Sequence, residues 1–390
     1  MLPNKGAFSV SKTKPSREYL IALKKRYAQA SKKERTAILD EFVKTSGYHR
    51  KHATALLLGK RVHRLHPAQR PRAKVYTEED RRALFKLLDL FDYISSKRLR
   101  VAMNDSLPRL RRQGFLRVSP AGYQHLRVIS PSTIDRIRAM QREPGQRRKG
   151  FTKPGSLLKH QIPIRTFAEW DEATPGFVEM DLVDHSGGSN SGDFAYTLNV
   201  TDVRTGWTEM RAVPNKAQVH VFAALTLVRQ RLPVPLKGVD SDNGSEFIND
   251  QLLRYCEQEH ITFTRGRVGR KNDNPFVEQK TWSVVRRLVG YRRYEAKRHV
   301  DLLNRLYHAY SLYHNFFLPV VKLQEKKRIG SRVQRVFDEP ATPYTRLLTS
   351  PDVSEADKRK LRATYAKLDV VQLKSEIDEL SAKLLSLRIR

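Results

Sequence analysis

The sequence predicts a multidomain chain: all-α helix-turn-helix domains at the N-terminus, a mixed α/β core, and a helical C-terminal region. Three observations predict it. Apolar residues keep helical spacing from about residue 17 to residue 140; the spacing changes to strand type from Gly176; and it returns to helical from about residue 297. A chain of 390 residues is too long for one compact core, so the changes of period also mark domain boundaries.

Charge narrows the partners. The chain carries 74 Lys and Arg against 41 Asp and Glu, a formal net charge of +33. Residues 1–170 hold 39 of the basic and 13 of the acidic residues, so the excess is concentrated N-terminally. Such a field exceeds what solubility requires and implies a polyanion, with double-stranded DNA the leading partner. Basic disordered tails lack apolar residues, whereas this chain is 39% hydrophobic with 16 Phe, 15 Tyr and 3 Trp, enough for folded cores throughout. Cys256 is the only cysteine, which excludes an intrachain disulfide and cysteine-rich zinc sites. With no long apolar run and no N-terminal apolar segment, no membrane partner is expected, and the expected location is the cytoplasm.

Residues 1–60 predict a helix-turn-helix domain. Tyr19, Leu20, Leu23 and Tyr27 share one face of a first helix. Ser31 and Glu34 form a capping box opening a second helix, whose inward face is Ala37, Ile38, Phe42 and Val43. After Thr45-Ser46-Gly47 a third helix opens on His49, Arg50, Lys51 and His52, the basic N-terminus of a recognition helix. A plain three-helix bundle with a solvated charged face has the same pattern; the charge favours DNA binding. Residues 61–76 are a basic, Pro-containing linker. Residues 77–140 predict a second helix-turn-helix-type domain. Thr77 caps its first helix, and Ser130 caps its last, with Pro131 at the first helical position and Ile134, Ile137 and Met140 facing inward. Lys97, Arg98 and Arg136 are its candidate DNA contacts, and 141–170 is a second linker, rich in Gly, Pro and basic residues.

Residues 171–296 predict the order β-β-β-α-β-α-β-α. Within it stand three carboxylates in distinct contexts: Asp181 in EMDLVDH, Asp242 in DSDNGSEF, and Glu278 in NDNPFVEQK, the last two separated by 35 residues. The order puts Asp181 in the first strand, Asp242 at the end of the fourth, and Glu278 in the helix after the fifth. Three carboxylates at one point can hold two Mg²⁺ (or Mn²⁺) ions across a phosphodiester. Asn243-Gly244 signals a turn just after Asp242, and Asn274 with Pro275 signals a helix start one turn before Glu278. Asp184, three residues past Asp181, and Asp240, on the same strand face as Asp242, are the competing carboxylates. Between the second and third carboxylates lie Arg265, Arg267, Arg270 and Lys271 in a Gly-containing stretch suited to closing on phosphate.

EMDLVDH, TLNVTDVRTGW, DSDNGSEFIN and KNDNPFVEQKTWSVVRRLVGYRRY together resemble the integrase catalytic core of bacterial insertion-sequence transposases. This is the DDE group related to retroviral integrases. The resemblance spans roughly residues 176–295. It implies a ribonuclease H-like fold, Asp181, Asp242 and Glu278 as catalytic ligands of two metal ions per active site, and helix-turn-helix units that bind the element's terminal repeats. It further implies strand cleavage and strand transfer on DNA, by a homodimer or higher multimer and without a covalent protein nucleophile. Asn243, Asn272 and Asn274 are expected near the site or as turn and cap residues, and Asp184 or His185 near the metals' water. A tyrosine recombinase built on Tyr291 or Tyr294 would need a supporting Arg/His constellation, which the chain does not offer; the two tyrosines are expected to pack or to contact DNA backbone. The competing functions are a catalytically inactive DNA-binding regulator and a junction-type nuclease. Loss of a carboxylate would mark the first, and the second needs neither the helix-turn-helix units nor this spacing.

Residues 297–390 predict a C-terminal helical and DNA-contact region. A long helix over 297–316 is expected to pack on the core. The basic stretch KKRIGSRVQR is a further candidate DNA contact. Val370, Leu373, Ile377, Leu380, Leu384 and Leu387 form a heptad-like seam, open either to pairing between subunits or to docking within the chain.

Overall fold

The structure is a computed structural model describing residues 17–59, 75–140, 174–189, 191–241, 250–265, 281–329 and 332–387. It divides into two compact units, 1–74 and 75–390.

The first unit contains α1 (Arg17–Gln29), α2 (Lys32–Ser46) and α3 (Arg50–Leu57). Ser31 and Glu34 form the expected capping box, the Ser31 amide donating to Glu34 Oε2 at 2.8 Å. Gly47 ends α2 with φ 66°, a left-handed conformation that favours glycine. Leu23, Tyr27, Ile38, Leu39, Phe42, Ala53 and Leu57 make the core. Ala37 is exposed and Leu39 takes the inward place, a one-residue rotation of the expected face of α2.

In the second unit, α4 (Glu78–Leu90), α5 (Ser96–Arg112), α6 (Pro120–Val128) and α7 (Pro131–Met140) precede the strands. The Thr77 amide donates to Asp80 Oδ2 at 2.7 Å, and Glu79 accepts from the Ser119 amide and hydroxyl at 2.9 and 2.7 Å. Acidic side chains of α4 thereby satisfy the N-terminus of α6. Ile134 and Ile137 of α7 are buried, whereas Met140 is exposed, because the helix ends there.

The core sheet has strand order β3-β2-β1-β4-β5: β1 (Phe177–Asp184), β2 (Tyr196–Asp202), β3 (Thr208–Val213), β4 (Gly238–Ser241) and β5 (Thr262–Arg265). β1, β2 and β3 form an antiparallel meander, and β4 and β5 run parallel to β1. The two parallel connections use α8 (Gln218–Arg231) and α9 (Asp250–Gln258), as parallel crossovers require. Val178, Met180, Leu198, Val200 and Val239 pack under these helices. At Gly238 a Cβ would come within 2.4 Å of the Phe177 ring, so β1 and β4 approach closely only because that residue is glycine.

The opposite face meets a π-helical turn, Thr281–Arg286, which continues into α10 (Arg287–Val289), and α11 (Lys297–Phe317). Two asparagines of α11 close the outer edge of β3. Asn304 Oδ1 accepts from the Ala212 amide at 2.8 Å and its Nδ2 donates to the Ala212 carbonyl at 3.1 Å. Asn315 does the same for Thr208, at 2.9 Å both ways. Each side-chain amide stands in for one residue of a neighbouring strand, satisfying an edge that would otherwise invite pairing. Beyond α11 come a ribbon of β6 (Leu323–Ile329) and β7 (Arg332–Phe337), then α12 (Pro343–Thr349), α13 (Glu355–Lys367) and α14 (Val370–Ser386).

One expectation changes here, and one left open is decided. The helices over 78–140 do not stand apart as a domain: their core residues, among them Leu84, Leu87, Met103 and Leu107, belong to one cluster with Val183, Met210, Leu303, Tyr307 and Leu380. Tyr313 donates to the Leu90 carbonyl at 2.6 Å, and Arg109 reaches the carbonyls of Tyr365 and Ala366. Second, the Val370–Leu384 seam docks within the chain, its five apolar side chains buried in that same cluster with α11. Each such residue contributes about 1.5–3 kcal/mol when fully buried.

Candidate active site

Asp181 lies in the middle of β1 on the face that meets the π-helical turn. It is half-buried, and its Cα partner across the antiparallel ladder is Asn199 of β2. Thr281 Oγ1 donates to Asp181 Oδ2 at 2.6 Å, and Asn199 Nδ2 donates to Thr281 Oγ1 at 3.2 Å. The hydroxyl thus relays a polar chain from β2 to the carboxylate and limits its rotation. Because side chains alternate along strands, Glu179 and Asp240 lie on this same face, and they are register partners in the β1–β4 pair. Both are buried, and Asp240 Oδ1 accepts from Thr264 Oγ1 at 2.6 Å. β4 ends at Ser241, the partner of Met180 in the parallel register.

Asp184 does other work. Its Oδ1 accepts from the Ser186 hydroxyl at 2.8 Å and its Oδ2 from Arg286 Nη2 at 3.1 Å. Burial opposes ionisation of Asp184, but the bonds from Ser186 and the charge of Arg286 outweigh it and hold the carboxyl below its usual range. It fastens the end of β1 to the π-helical turn. His185 Nε2 lies 2.7 Å from Thr197 Oγ1, which lies 2.8 Å from the Tyr307 hydroxyl. Burial first, then the charge of Arg286, push the imidazole down to about 3, so it is neutral at ordinary pH.

The described residues include one of the three predicted carboxylates. Asp242 and Glu278 lie outside them, as do Asn243, Arg267, Arg270, Lys271, Asn272 and Asn274, and the side chain of Arg265. Among the described residues no group of three His, Cys, Asp or Glu is arranged to hold a metal ion. Asp181 supplies a hard oxygen ligand of the kind Mg²⁺ prefers. Of the expected DNA contacts, His49 and Lys51 are exposed at the start of α3, and Arg50, also exposed, forms an ion pair with Asp40. Lys97 and Arg136 are exposed. Arg98 is half-buried: its Nε donates to the Pro319 carbonyl, and it lines a partly open pocket of about 110 Å³ with Asp92, Arg287 and Tyr310. Its guanidinium joins α5 to the chain after α11.

Thr281 and Asn199 were not singled out from sequence. The signals were present: Thr281 stands three residues past Glu278, the spacing of one helix face, and Asn199 is a polar amide between the apolar Leu198 and Val200.

A meander followed by two parallel strands, with an acidic residue in the central strand, defines an integrase-type core. The Integrase core domain family matches residues 171–271. The chain is 40% identical over 333 residues to "Uncharacterized protein y4rM" of Sinorhizobium fredii, covering 84% of this chain and 94% of that protein. Among solved structures, the HTLV-2 integrase catalytic core domain in complex with magnesium aligns in its dimeric form at 15% identity and TM-score 0.29, over 37% of this chain and 90% of that one. Its trimeric form aligns at 16% identity and TM-score 0.28, over 36% and 86%. The chain therefore belongs to one family with the y4rM protein and carries an integrase core domain over residues 171–271.

Among the described residues no helix is long and apolar enough to cross a membrane.

Proposed function

We propose that this protein is a transposase that binds the terminal repeats of its mobile element and performs metal-dependent cleavage and strand transfer on DNA. The observation that supports this most is the bond from Thr281 to Asp181, taken with the Met180–Ser241 register. Asp242 follows Ser241 in sequence and Glu278 precedes Thr281 by three residues, and both Ser241 and Thr281 lie against the strand of Asp181.

Asp181, Asp242 and Glu278 would hold two Mg²⁺ or Mn²⁺ ions, which when bound activate the attacking oxygen and stabilise the leaving oxygen of the phosphodiester. The chain's own part is to position and to bind. Thr281 orients the Asp181 carboxylate, the Asp184–Arg286 pair holds the π-helical turn against β1, and α3 offers His49, Arg50 and Lys51 to DNA. Lys97, Arg136, Arg265, Arg267, Arg270 and Lys271 would add phosphate contacts. Joining two ends calls for a dimer or higher multimer, and the place of action is the cytoplasm, at the nucleoid.

The test is a strand-transfer assay with Mg²⁺ or Mn²⁺, using donor DNA carrying the repeats that flank the gene and a supercoiled target. Asp242→Asn and Glu278→Gln should bind the ends and form no joined product. Tight binding by the wild type with neither cutting nor joining under either metal would favour a DNA-binding regulator that retains the fold.

A further inference from the structure

Tyr291 is 67% exposed, more than any other Phe or Tyr among the described residues. One face of its ring is covered: the guanidinium carbon of Arg286 stands 4.7 Å from the ring centroid. Arg286 is itself only 14% exposed and is held by Asp184, which Ser186 holds in turn. The residue before the tyrosine, Gly290, has φ 70° and ψ −152°, a conformation that ends the helix and that residues with a Cβ avoid. The ring is therefore backed by a fixed cation, turned outward by a glycine, and open to solvent.

Its place relative to Asp181 follows from two ties. Thr281 joins the π-helical turn to Asp181, and Arg286 joins the same turn to Asp184. The turn thus runs alongside β1, and the Arg286–Tyr291 stack sits at the Asp184 end, roughly 10 Å along the strand from Asp181. That distance corresponds to about three nucleotide rises of a DNA strand.

Resting on the proposed function, we infer that Tyr291 is a positioning residue whose open face stacks on an unpaired base of the element end, within a few nucleotides of the phosphate to be cut. Stacking on an aromatic ring tolerates any base, and Arg286 beneath strengthens the platform without contacting the base. A frayed terminal base held there keeps the strand from re-pairing and sets which phosphate lies at Asp181. A packing role would have hidden the ring, and a role as covalent nucleophile would have required a partner to activate the hydroxyl.

The test uses the full chain with a forked duplex of the sequence flanking the gene, 2-aminopurine occupying a three-nucleotide single-stranded end. Wild type and Tyr291→Phe should quench the probe on binding. Tyr291→Ala should bind the duplex body without quenching and should join strands at least about tenfold more slowly, with an unchanged melting temperature. Asp181→Asn should quench fully while joining nothing. Tyr291-dependent quenching in a protein that never joins strands would sustain the stacking and remove the transposase reading. Equal quenching and joining by the Ala variant, or no quenching by the wild type, would overturn the inference.

Discussion

A single hydroxyl separates the candidate site from an ordinary acidic strand: Thr281 Oγ1 on Asp181 Oδ2. Thr281→Val keeps the shape and deletes the donor, so strand transfer should fall about tenfold, one charge-assisted hydrogen bond's worth. Asp181→Asn should abolish it with DNA-end binding retained; equal rates for Thr281→Val and wild type would make the bond incidental. A second residue-scale prediction concerns Glu209 on β3, which accepts from Trp207 Nε1 at 3.0 Å. Burial, only partly offset by the Trp207 bond and the charge of Arg231, raises its carboxyl to about 7 from 4.5. The folded state thus binds the proton more tightly than the unfolded one. The stability this confers is complete below about pH 4.5 and is lost as pH rises through 7. Glu209→Gln is neutral at every pH, so urea titrations should show it matching wild type near pH 4 and exceeding it at pH 8, by at most about 3 kcal/mol.

At the scale of elements, α11 is the organising helix. It seats the meander through Asn304 and Asn315, receives α14, and reaches the helices over 78–140 through Tyr313. Asn315→Leu preserves volume but leaves the Thr208 amide and carbonyl buried without partners, each costing about 1–3 kcal/mol. Chemical denaturation should read a loss of roughly 2–5 kcal/mol; a loss below about 1 kcal/mol would mean that the edge of β3 finds other partners. The turn at Gly187 is a second such point. Its φ is 64°, and a Cβ would come within 2.6 Å of Arg293 Cβ, so Gly187→Ala should disturb the Ser186–Arg293 bridge that anchors the strand end beside Asp184.

For the whole molecule, the continuity of one apolar cluster from Ala83 to Leu384 predicts that residues 75–390 unfold as one cooperative body. A fragment of those residues should melt in a single transition seen alike by near- and far-ultraviolet circular dichroism. Removing 370–390 should uncover α11 and lower that transition by well over 10 °C, since five buried apolar side chains leave at once. Two separated transitions in the 75–390 fragment would restore an independent domain over 77–140.

Much of this was legible from residue order. The capping box at Ser31, the cap at Thr77, the turn at Thr205-Gly206, the run of strands from Gly176 and the long helix from Lys297 all follow from interactions within a few residues. The order of strands and helices, and with it an integrase-type core containing Asp181, follows from those local periods and from the motif contexts. Other features came only from tertiary contact. Local spacing cannot reveal that the Pro319 carbonyl, 221 residues away, lies against Arg98. The heptad seam of α14 was equally compatible with a partner subunit or with this chain; the apolar face of α11 decided it, since burial rewards contact with no regard to sequence distance. The fusion of the 78–140 helices with the core, and the Thr281 and Asn199 bonds around Asp181, rest on the same reason. Periodicity reports which face of an element is apolar, while what covers that face is a property of the fold.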